Sequence, residues 1–240
     1  MKPLILIGGG GHCKSVIEAA ESAGYCILGV LDMPEEVGKE ILSTKVIGTD
    51  DDIPAHVDKA EFVITVGFIK NPTTRIKLYH KVKEAGGKLA TIIASSAYVS
   101  KYAEIGEGTV VLHQAFVNAG AKVGCNVILN TATNIEHDAV IGDHCHISTG
   151  VMVNGECKVG NRCFVGSQSV LANGICIGNN VIIGSGSAIM KDISDCIIVY
   201  GNPARIINNE DMLTNVNLGG ALLSRRRALL LCLPYRRAAA

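Results

Sequence analysis

Residues 135–152 read IEHDAVIGDHCHISTGVM, which divides into three segments of six residues, each beginning with Ile. The same frame extends outward to sixteen consecutive hexads between Val99 and Ser194, and every first position is Val, Ile or Leu without an insertion. A second period of eighteen residues places glycine at Gly106, Gly124, Gly142, Gly160 and Gly178. A six-residue period indicates a β-helix in which three short strands form one coil. The pattern therefore predicts a left-handed parallel β-helix of about five coils.

The hexad frame predicts the direction of each side chain, with the first and fifth positions pointing inward. The fifth position holds Cys145, Cys157 and Cys163, so we expect these cysteines to be small core residues rather than nucleophiles or metal ligands. His137 takes a third position, at a corner, and His146 takes a sixth position, which points outward. The two histidines are half a coil apart, so one chain does not bring both to a metal ion and no metal is expected.

The first half of the chain predicts a small α/β domain. Residues 4–32, LILIGGGGHCKSVIEAAESAGYCILGVLD, indicate a strand, a glycine turn, a helix and a second strand. A helix that starts near His12 presents free backbone N–H groups to an anion. The dinucleotide fingerprint is incomplete because Cys13 or Lys14 stands where its third glycine would be. A phosphate-bearing ligand is therefore favoured over a redox nicotinamide.

Composition restricts the class of protein. The chain is 48% hydrophobic but only 4% aromatic, with no Trp, so its core is expected to consist of aliphatic and small residues. No apolar run approaches the roughly 20 residues that span a bilayer, and no secretion signal precedes the nine cysteines. We expect a reduced, cytoplasmic protein without membrane insertion. The predicted division is a Rossmann-like domain in 1–92, the β-helix in 93–207 and a tail in 208–240.

The tail differs in composition from the rest of the chain. Residues 221–240 hold five arginines and no acidic residue, and removing five of the 22 basic side chains leaves 17 against 22 acidic ones. The body of the protein is thus not basic, and no nucleic-acid partner is expected. The tail is either a basic segment that binds membrane or RNA, or an artificial extension.

Two motifs carry a resemblance to a known family. They are NTATNIEHDAVIGDHCHIS at 130–148 and YGNPARII at 200–207. With the preceding βαβ unit, they make the chain resemble bacterial nucleotide-sugar acetyltransferases of the sialic acid O-acyltransferase type, over roughly residues 1–207. The group includes enzymes that N-acetylate UDP-linked 4-amino-6-deoxy sugars for surface glycans or glycoproteins. The resemblance implies acetyl-CoA as cosubstrate and a homotrimer with active sites between subunits.

The resemblance also implies roles for particular residues. His137 would be the general base and Asp138 the carboxylate that raises its basicity. The resemblance implies that acetyl-CoA contacts His146, Ser167 and Ser185. Gly155 is added to this set because it lies eighteen residues after His137 and leaves room beside it. The nucleotide-sugar contacts implied are Gly10, Gly11, His12, Asp32 and Met33.

The chemistry of acetyl transfer suits these residue types. A sugar amine must lose a proton to attack a thioester, and a histidine titrating near neutrality can accept it. The carbonyl oxygen becomes negative and needs a donor, either His146 or a backbone N–H. The alternative activity is O-acetylation of sialic acid or a related sugar. A purely structural β-helix would leave the His137–Asp138 pair and the βαβ unit unexplained.

Overall fold

A computed structural model describes residues 3–207, so the predicted tail at 208–240 lies outside the described residues. The N-terminal domain is a five-stranded sheet in the order β3-β4-β2-β1-β5, parallel except for β3. Its elements are β1 (Leu4–Ile7), α1 (Gly11–Ser22), β2 (Ile27–Leu31), β3 (Glu40–Ile41), β4 (Thr44–Gly48), β5 (Glu61–Ile64) and α2 (Thr73–Glu84), with 3-10 turns at Pro34–Glu36 and Asp50–Ala55. The predicted βαβ unit is confirmed.

Both faces of this sheet are covered. Leu4 and Leu6 of β1 pack with α1, while Ile5 and Ile7 pack on the opposite side with Leu78 of α2. Alternate residues of a strand face opposite sides of the sheet, so the uninterrupted apolar run LILI is what a strand buried on both faces requires. Strands β1, β2 and β5 end at the same level, since Ile7 pairs with Leu31 and Ile64. The glycine turn after β1 therefore places the start of α1 at the carboxyl edge of the sheet.

The second domain is the predicted β-helix. Its strands are β6 (Ile92–Ile93), β7 (Tyr98–Val99), β8 (Glu104–Ile105), β9 (Val110–Val111), β10 (Phe116–Val117), β11 (Lys122–Val123), β12 (Ile128–Leu129), β13 (Asn134–Ile135), β14 (Val140–Ile141), β15 (His146–Ile147), β16 (Met152–Val153), β17 (Lys158–Val159), β18 (Phe164–Val165), β19 (Val170–Leu171), β20 (Cys176–Ile177), β21 (Ile182–Ile183), β22 (Ala188–Ile189), β23 (Ile198–Tyr200) and β24 (Arg205–Ile206).

Three sheets form the sides of the prism. Strands on one side pair in parallel at a spacing of eighteen residues, as Phe116 does with Asn134. The exceptions are at the C-terminal end, where β23 pairs with β21 at a spacing of sixteen residues and β24 is antiparallel to β23. We call the side with β6, β9, β12, β15, β18, β21, β23 and β24 the covered face, the side with β7, β10, β13, β16, β19 and β22 the aromatic face, and the side with β8, β11, β14, β17 and β20 the charged face. First-position residues such as Ile135 and Ile147 are fully buried inside.

The repeat differs from the prediction at both ends. At the start, Ile93 pairs with Val111, so the register begins one strand earlier than Val99. At the end, Ile177 bridges to Ile193, so the last coil closes after sixteen residues. The division proposed between residues 92 and 93 falls inside β6 and stays a proposal.

The cysteines at fifth positions are core residues in this fold. Cys145, Cys157 and Cys163 have no solvent exposure. Each thiol donates to a carbonyl oxygen of the next coil, of Gly160, Ala172 and Gly178 respectively, at 3.0, 2.9 and 3.0 Å. Burial raises the pKa of Cys145 and Cys157, which keeps these thiols protonated and poorly nucleophilic.

The N-terminal domain packs on the covered face. The outward side chains Ile92, Val110 and Ile128 have no exposure, and the first two join the core cluster of Val16 and Ile17 on α1. The two domains therefore share a buried interface. Neither helix within residues 3–207 has the length and hydropathy needed to cross a membrane.

Candidate active site

His137 lies at the corner that follows β13, between the aromatic and charged faces. Its side chain is 54% exposed, and its Nδ1 lies 3.0 Å from Oδ2 of Asp138. A carboxylate only accepts, so Nδ1 carries the hydrogen and the lone pair is on Nε2. The hydrogen bond that His137 donates to Asp138 is the main cause that raises the pKa of His137 above its ordinary value. The pair has the geometry of a base with an orienting carboxylate.

Glycines of neighbouring coils make room for this pair. A Cβ on Gly155 would lie 2.6 Å from Nε2 of His137, and a Cβ on Gly120 would overlap Oδ1 of Asp138. Gly155 was predicted from the eighteen-residue spacing. Gly120 was missed, although it stands eighteen residues before Asp138 and the same reasoning would have found it.

Glu136 is a second carboxylate beside His137 that sequence reasoning missed. Its two oxygens accept from Asn118 Nδ2 at 2.7 Å and Asn134 Nδ2 at 3.1 Å. The Asn118 bond is the main cause that lowers the pKa of Glu136, so this carboxylate stays ionised and also favours the protonated form of His137. Asn134 lies two residues before Glu136 and Asn118 lies eighteen residues before it, so the eighteen-residue spacing that led to Gly155 would also have found Asn118.

His146 points away from the prism axis, as predicted, but it is not open to solvent. It lies on the covered face and is only 9% exposed because the segment after β5 covers it. Its Nδ1 is 2.8 Å from the carbonyl oxygen of Phe68, and Asn130 Nδ2 is 3.4 Å from its Nε2. The rings of Phe68 and Phe164 lie 5.7 and 5.3 Å from its ring centre.

The hydrogen bonds of His146 make it a poor oxyanion donor. A carbonyl oxygen only accepts, so Nδ1 of His146 carries the hydrogen and Nε2 is an acceptor. Burial, with a smaller contribution from the charge of Arg75, lowers the pKa of His146 to about 4. The ring is thus neutral near neutral pH. Of the two donors considered from the sequence, a backbone N–H fits the oxyanion better than His146.

His12 lies beside His146, which the sequence did not predict. Their ring centres are 6.3 Å apart. Nε2 of His12 is buried without a hydrogen-bond partner in residues 3–207, and burial, followed by Arg75, lowers the pKa of His12 to about 3. The structure thus places His12, which was predicted to bind the nucleotide sugar, next to His146, which was predicted to bind acetyl-CoA.

The remaining nucleotide-sugar candidates lie at the same edge of the sheet. Helix α1 begins at Gly11, with Gly10 as its N-cap, no capping side chain and no acidic residue in its first turn. A Cβ on either glycine would meet nothing within 4 Å, so the helix start is open. The Asp32 carboxylate lies against Gly9, and Met33 is 59% exposed.

The predicted acetyl-CoA residues lie at two different corners. Ser167, whose Oγ is 2.8 Å from Oγ of Ser148, and the exposed Ser185 lie between the covered and aromatic faces. Gly155 lies with His137 at the other edge of the aromatic face. One chain therefore does not bring all of them together. Within residues 3–207, no three His, Cys, Asp or Glu side chains form a cluster that could hold a metal ion.

Comparisons with known proteins match both domains. The family described as "PglD N-terminal domain" matches residues 3–82, and "Bacterial transferase hexapeptide (six repeats)" matches residues 156–191. No curated protein matches the sequence. The structure of PerB from Caulobacter crescentus, in complex with CoA and GDP-perosamine, is similar with 29% identity and a TM-score of 0.80, covering 87% of this chain and 98% of that one.

A second structure decides the family. The acetyltransferase domain of PglB from Neisseria gonorrhoeae is 30% identical with a TM-score of 0.79, covering 86% of this chain and 100% of that domain. The chain belongs to the hexapeptide-repeat nucleotide-sugar acetyltransferases. This acetyltransferase is therefore an acyl-transferring enzyme, and the resemblance drawn from its motifs is confirmed. WeeI from Acinetobacter baumannii, at 22% identity and a TM-score of 0.77, shares the fold.

Proposed function

We propose that the protein transfers the acetyl group of acetyl-CoA to the amine of a nucleotide-linked 4-amino-6-deoxy sugar, with His137 as general base. One observation carries this proposal. Nδ1 of the half-exposed His137 is held by Asp138 at 3.0 Å, which leaves Nε2 for a substrate proton. PerB, which is similar over most of the chain, was crystallised with CoA and GDP-perosamine, and the PglB domain with acetyl coenzyme A.

The reaction needs one base and one oxyanion donor. The sugar amine attacks the thioester carbonyl and forms the C–N bond, while its proton passes to Nε2 of His137. The Asp138 carboxylate stabilises the imidazolium, and a backbone N–H stabilises the oxyanion. The C–S bond then breaks, and the thiolate takes the proton from His137. No acyl-cysteine is needed, in agreement with the buried positions of Cys145, Cys157 and Cys163.

The nucleotide sugar is proposed to bind at the N-terminal domain. The open start of α1 at Gly10 and Gly11 offers backbone N–H groups to the phosphates, and Asp32 directly follows the second strand at the same edge. His12 and His146 would then face the sugar end. We therefore propose that His146 contacts the acceptor sugar and not acetyl-CoA, because its ring lies 6.3 Å from that of His12.

A complete site is proposed to need two copies of the chain in a homotrimer. The aromatic face separates the His137 corner from the serine corner. Its outer row is apolar except for Asn134, with Tyr98 55% and Met152 37% exposed. The Tyr98 ring stacks on that of Phe116 at 5.0 Å. Packing of this face against a neighbouring prism would bury the row and bring His137 of one copy to the acceptor site of the next.

Within this substrate class, the nucleotide to which the amino sugar is linked has to be identified. The motif resemblance favours a UDP-linked sugar, whereas PerB holds a GDP-linked one. The test is incubation of the purified protein and acetyl-CoA with the UDP- and GDP-linked forms of one 4-amino-4,6-dideoxy sugar, and with a 4-hydroxy analogue. Mass spectrometry is preferable to a thiol reagent because the chain has nine cysteines. We expect one acetyl group on the UDP-linked amine. Acetylation of the hydroxyl analogue alone would contradict the proposal.

A further inference from the structure

Arg75 of α2 is a buried cation at the junction of the two domains. It is 1% exposed. Its Nη1 donates to the carbonyl oxygens of Ile64 and Val66, and its Nε donates to that of Asn126 on the β-helix at 3.2 Å. Burial lowers the pKa of Arg75 to about 9, so it stays charged near neutral pH. Within residues 3–207, Arg75 forms no ion pair with an acidic side chain.

A buried charge without a counter-ion lowers stability. An apolar side chain of similar volume would fill the space without the cost of removing the charge from water. Stability alone therefore does not account for an arginine here, and its neighbours indicate a role at the site.

The partners of Arg75 lead directly to His146. Ile64 and Val66 begin the segment that ends at Phe68, whose carbonyl oxygen lies 2.8 Å from Nδ1 of His146. The Phe68 ring also packs against Phe164, with centres 6.5 Å apart. Arg75 thus fixes one end of a short segment, and the other end of that segment orients His146.

Arg75 and His12, which interact electrostatically, each carry an unpartnered polar atom. Nη2 of Arg75 and Nε2 of His12 are both buried without a hydrogen-bond partner in the described residues. The guanidinium charge acts on both His12 and His146 and disfavours their protonation. Arg75 therefore influences both histidines of the acceptor site without contacting either through a hydrogen bond.

We propose that Arg75 is a positioning residue for the acceptor site. Its guanidinium holds the 64–68 segment on the β-helix, and the Phe68 carbonyl then keeps His146 with its hydrogen on Nδ1 and Nε2 as an acceptor, in a ring centred 6.3 Å from that of His12. This positioning role rests on the proposed function in one respect, namely that the site with His12 and His146 binds the nucleotide sugar.

The direct test is NMR of the histidine rings in ¹⁵N-histidine-labelled protein, with His146→Gln identifying the His146 signals. We expect wild-type His146 to be neutral and protonated on Nδ1 between about pH 8 and 5. In Arg75→Met we expect a mixture of tautomers. Wild-type His146 protonated on Nε2, or an Arg75→Met spectrum identical to wild type, would overturn the proposal.

Lys83→Met is the matched control. Lys83 also joins α2 to the β-helix, through Glu107 at 2.8 Å, but it does not touch the 64–68 segment. We expect Lys83→Met to keep the wild-type His146 signals and KM values. Arg75→Met should raise KM for the nucleotide sugar about 10-fold, with kcat changed less than about 3-fold.

Arg75→Lys keeps the test decisive if Arg75→Met does not fold. Lysine retains the charge but lacks the fork that reaches carbonyls on both domains, so we expect a raised KM with a smaller change in the spectrum. Unchanged KM and spectrum in Arg75→Lys would overturn the role. If wild type transfers no acetyl group but the His146 signals still depend on Arg75, the proposed function fails and the positioning role stands.

Discussion

The histidines of the candidate site are tuned in opposite directions. The half-exposed His137 has its pKa raised, chiefly by the hydrogen bond to Asp138, whereas burial lowers the pKa of His146 to about 4. A general base must take up a proton near neutral pH, and a binding residue with a fixed hydrogen-bonding pattern must not. The opposite shifts therefore favour His137 as the base and His146 as a binding residue.

Replacing Asp138 by Asn tests the carboxylate. His137 is active when deprotonated, so activity rises as pH increases through its raised pKa. Asp138→Asn removes the main cause of that shift, so we expect the acid limb of the kcat profile to move to lower pH and the plateau to fall about 10-fold. Asn also suits the left-handed backbone at this position, where φ is 59°. An acid limb that stays in place would contradict the role of Asp138.

Gly155 tests the space around the base. In Gly155→Ala the new Cβ would lie 2.6 Å from Nε2 of His137, which forces the ring to move. We expect kcat/KM to fall about 100-fold with little change in thermal stability. In a His137→Ala background the same substitution should have almost no further effect, because the two act on one ring. Additive losses would show that Gly155 acts elsewhere.

At the scale of elements, one corner of the prism depends on glycines and side-chain amides. Asp143 N–H donates to Asn161 Oδ1 at 2.7 Å, and Asn161 N–H donates to Asn179 Oδ1 at 2.9 Å. A Cβ on Gly160 would lie 2.7 Å from the Gly178 carbonyl group of the next coil. The eighteen-residue glycine period therefore reflects the close approach of successive coils.

Gly160→Ala is expected to destabilise the protein by about 2 kcal/mol or more, because the new methyl group meets backbone that cannot yield. Urea unfolding measures the change. Gly11→Ala is the matched control, since a Cβ there meets nothing within 4 Å and Ala favours helix. Equal stability of the two variants would contradict the packing explanation.

Features set by the local repeat were predictable. The hexad frame placed Cys163 and Ile147 in the core, where both have no exposure. These predictions succeeded because inward and outward positions follow from a period that neighbouring coils repeat.

Features set by docking were not predictable. His146 is covered by Phe68, 78 residues away in sequence, and no periodicity specifies which face a preceding domain covers. The shortened last coil breaks the period itself, so the frame could not reveal it.

At the scale of the whole molecule, the candidate residues form two half-sites. His137, Asp138 and Gly155 lie at one edge of the aromatic face. His146 lies on the covered face, beside His12 of the N-terminal domain that packs on it. A closed ring of three copies would join each half-site to the complementary half-site of a neighbour. Activity would then require assembly.

Coexpression of His137→Ala with His12→Ala tests this arrangement. Each variant alone lacks one half-site. A mixed trimer regains one intact site, so random assembly should restore about one quarter of wild-type activity. The mixed trimers can be isolated through two different tags. Mixed trimers as inactive as the parents would place both half-sites in one chain and contradict the account.

The most direct measurement is mass spectrometry of acetyl transfer by wild type and His137→Ala, incubated with acetyl-CoA and the 4-amino-4,6-dideoxy nucleotide sugars. We expect wild type to add one acetyl group to the sugar amine and His137→Ala to be at least about 100-fold slower, from loss of the base. Full activity of His137→Ala would contradict the mechanism, and no acetylated sugar from wild type would contradict the proposed substrate class.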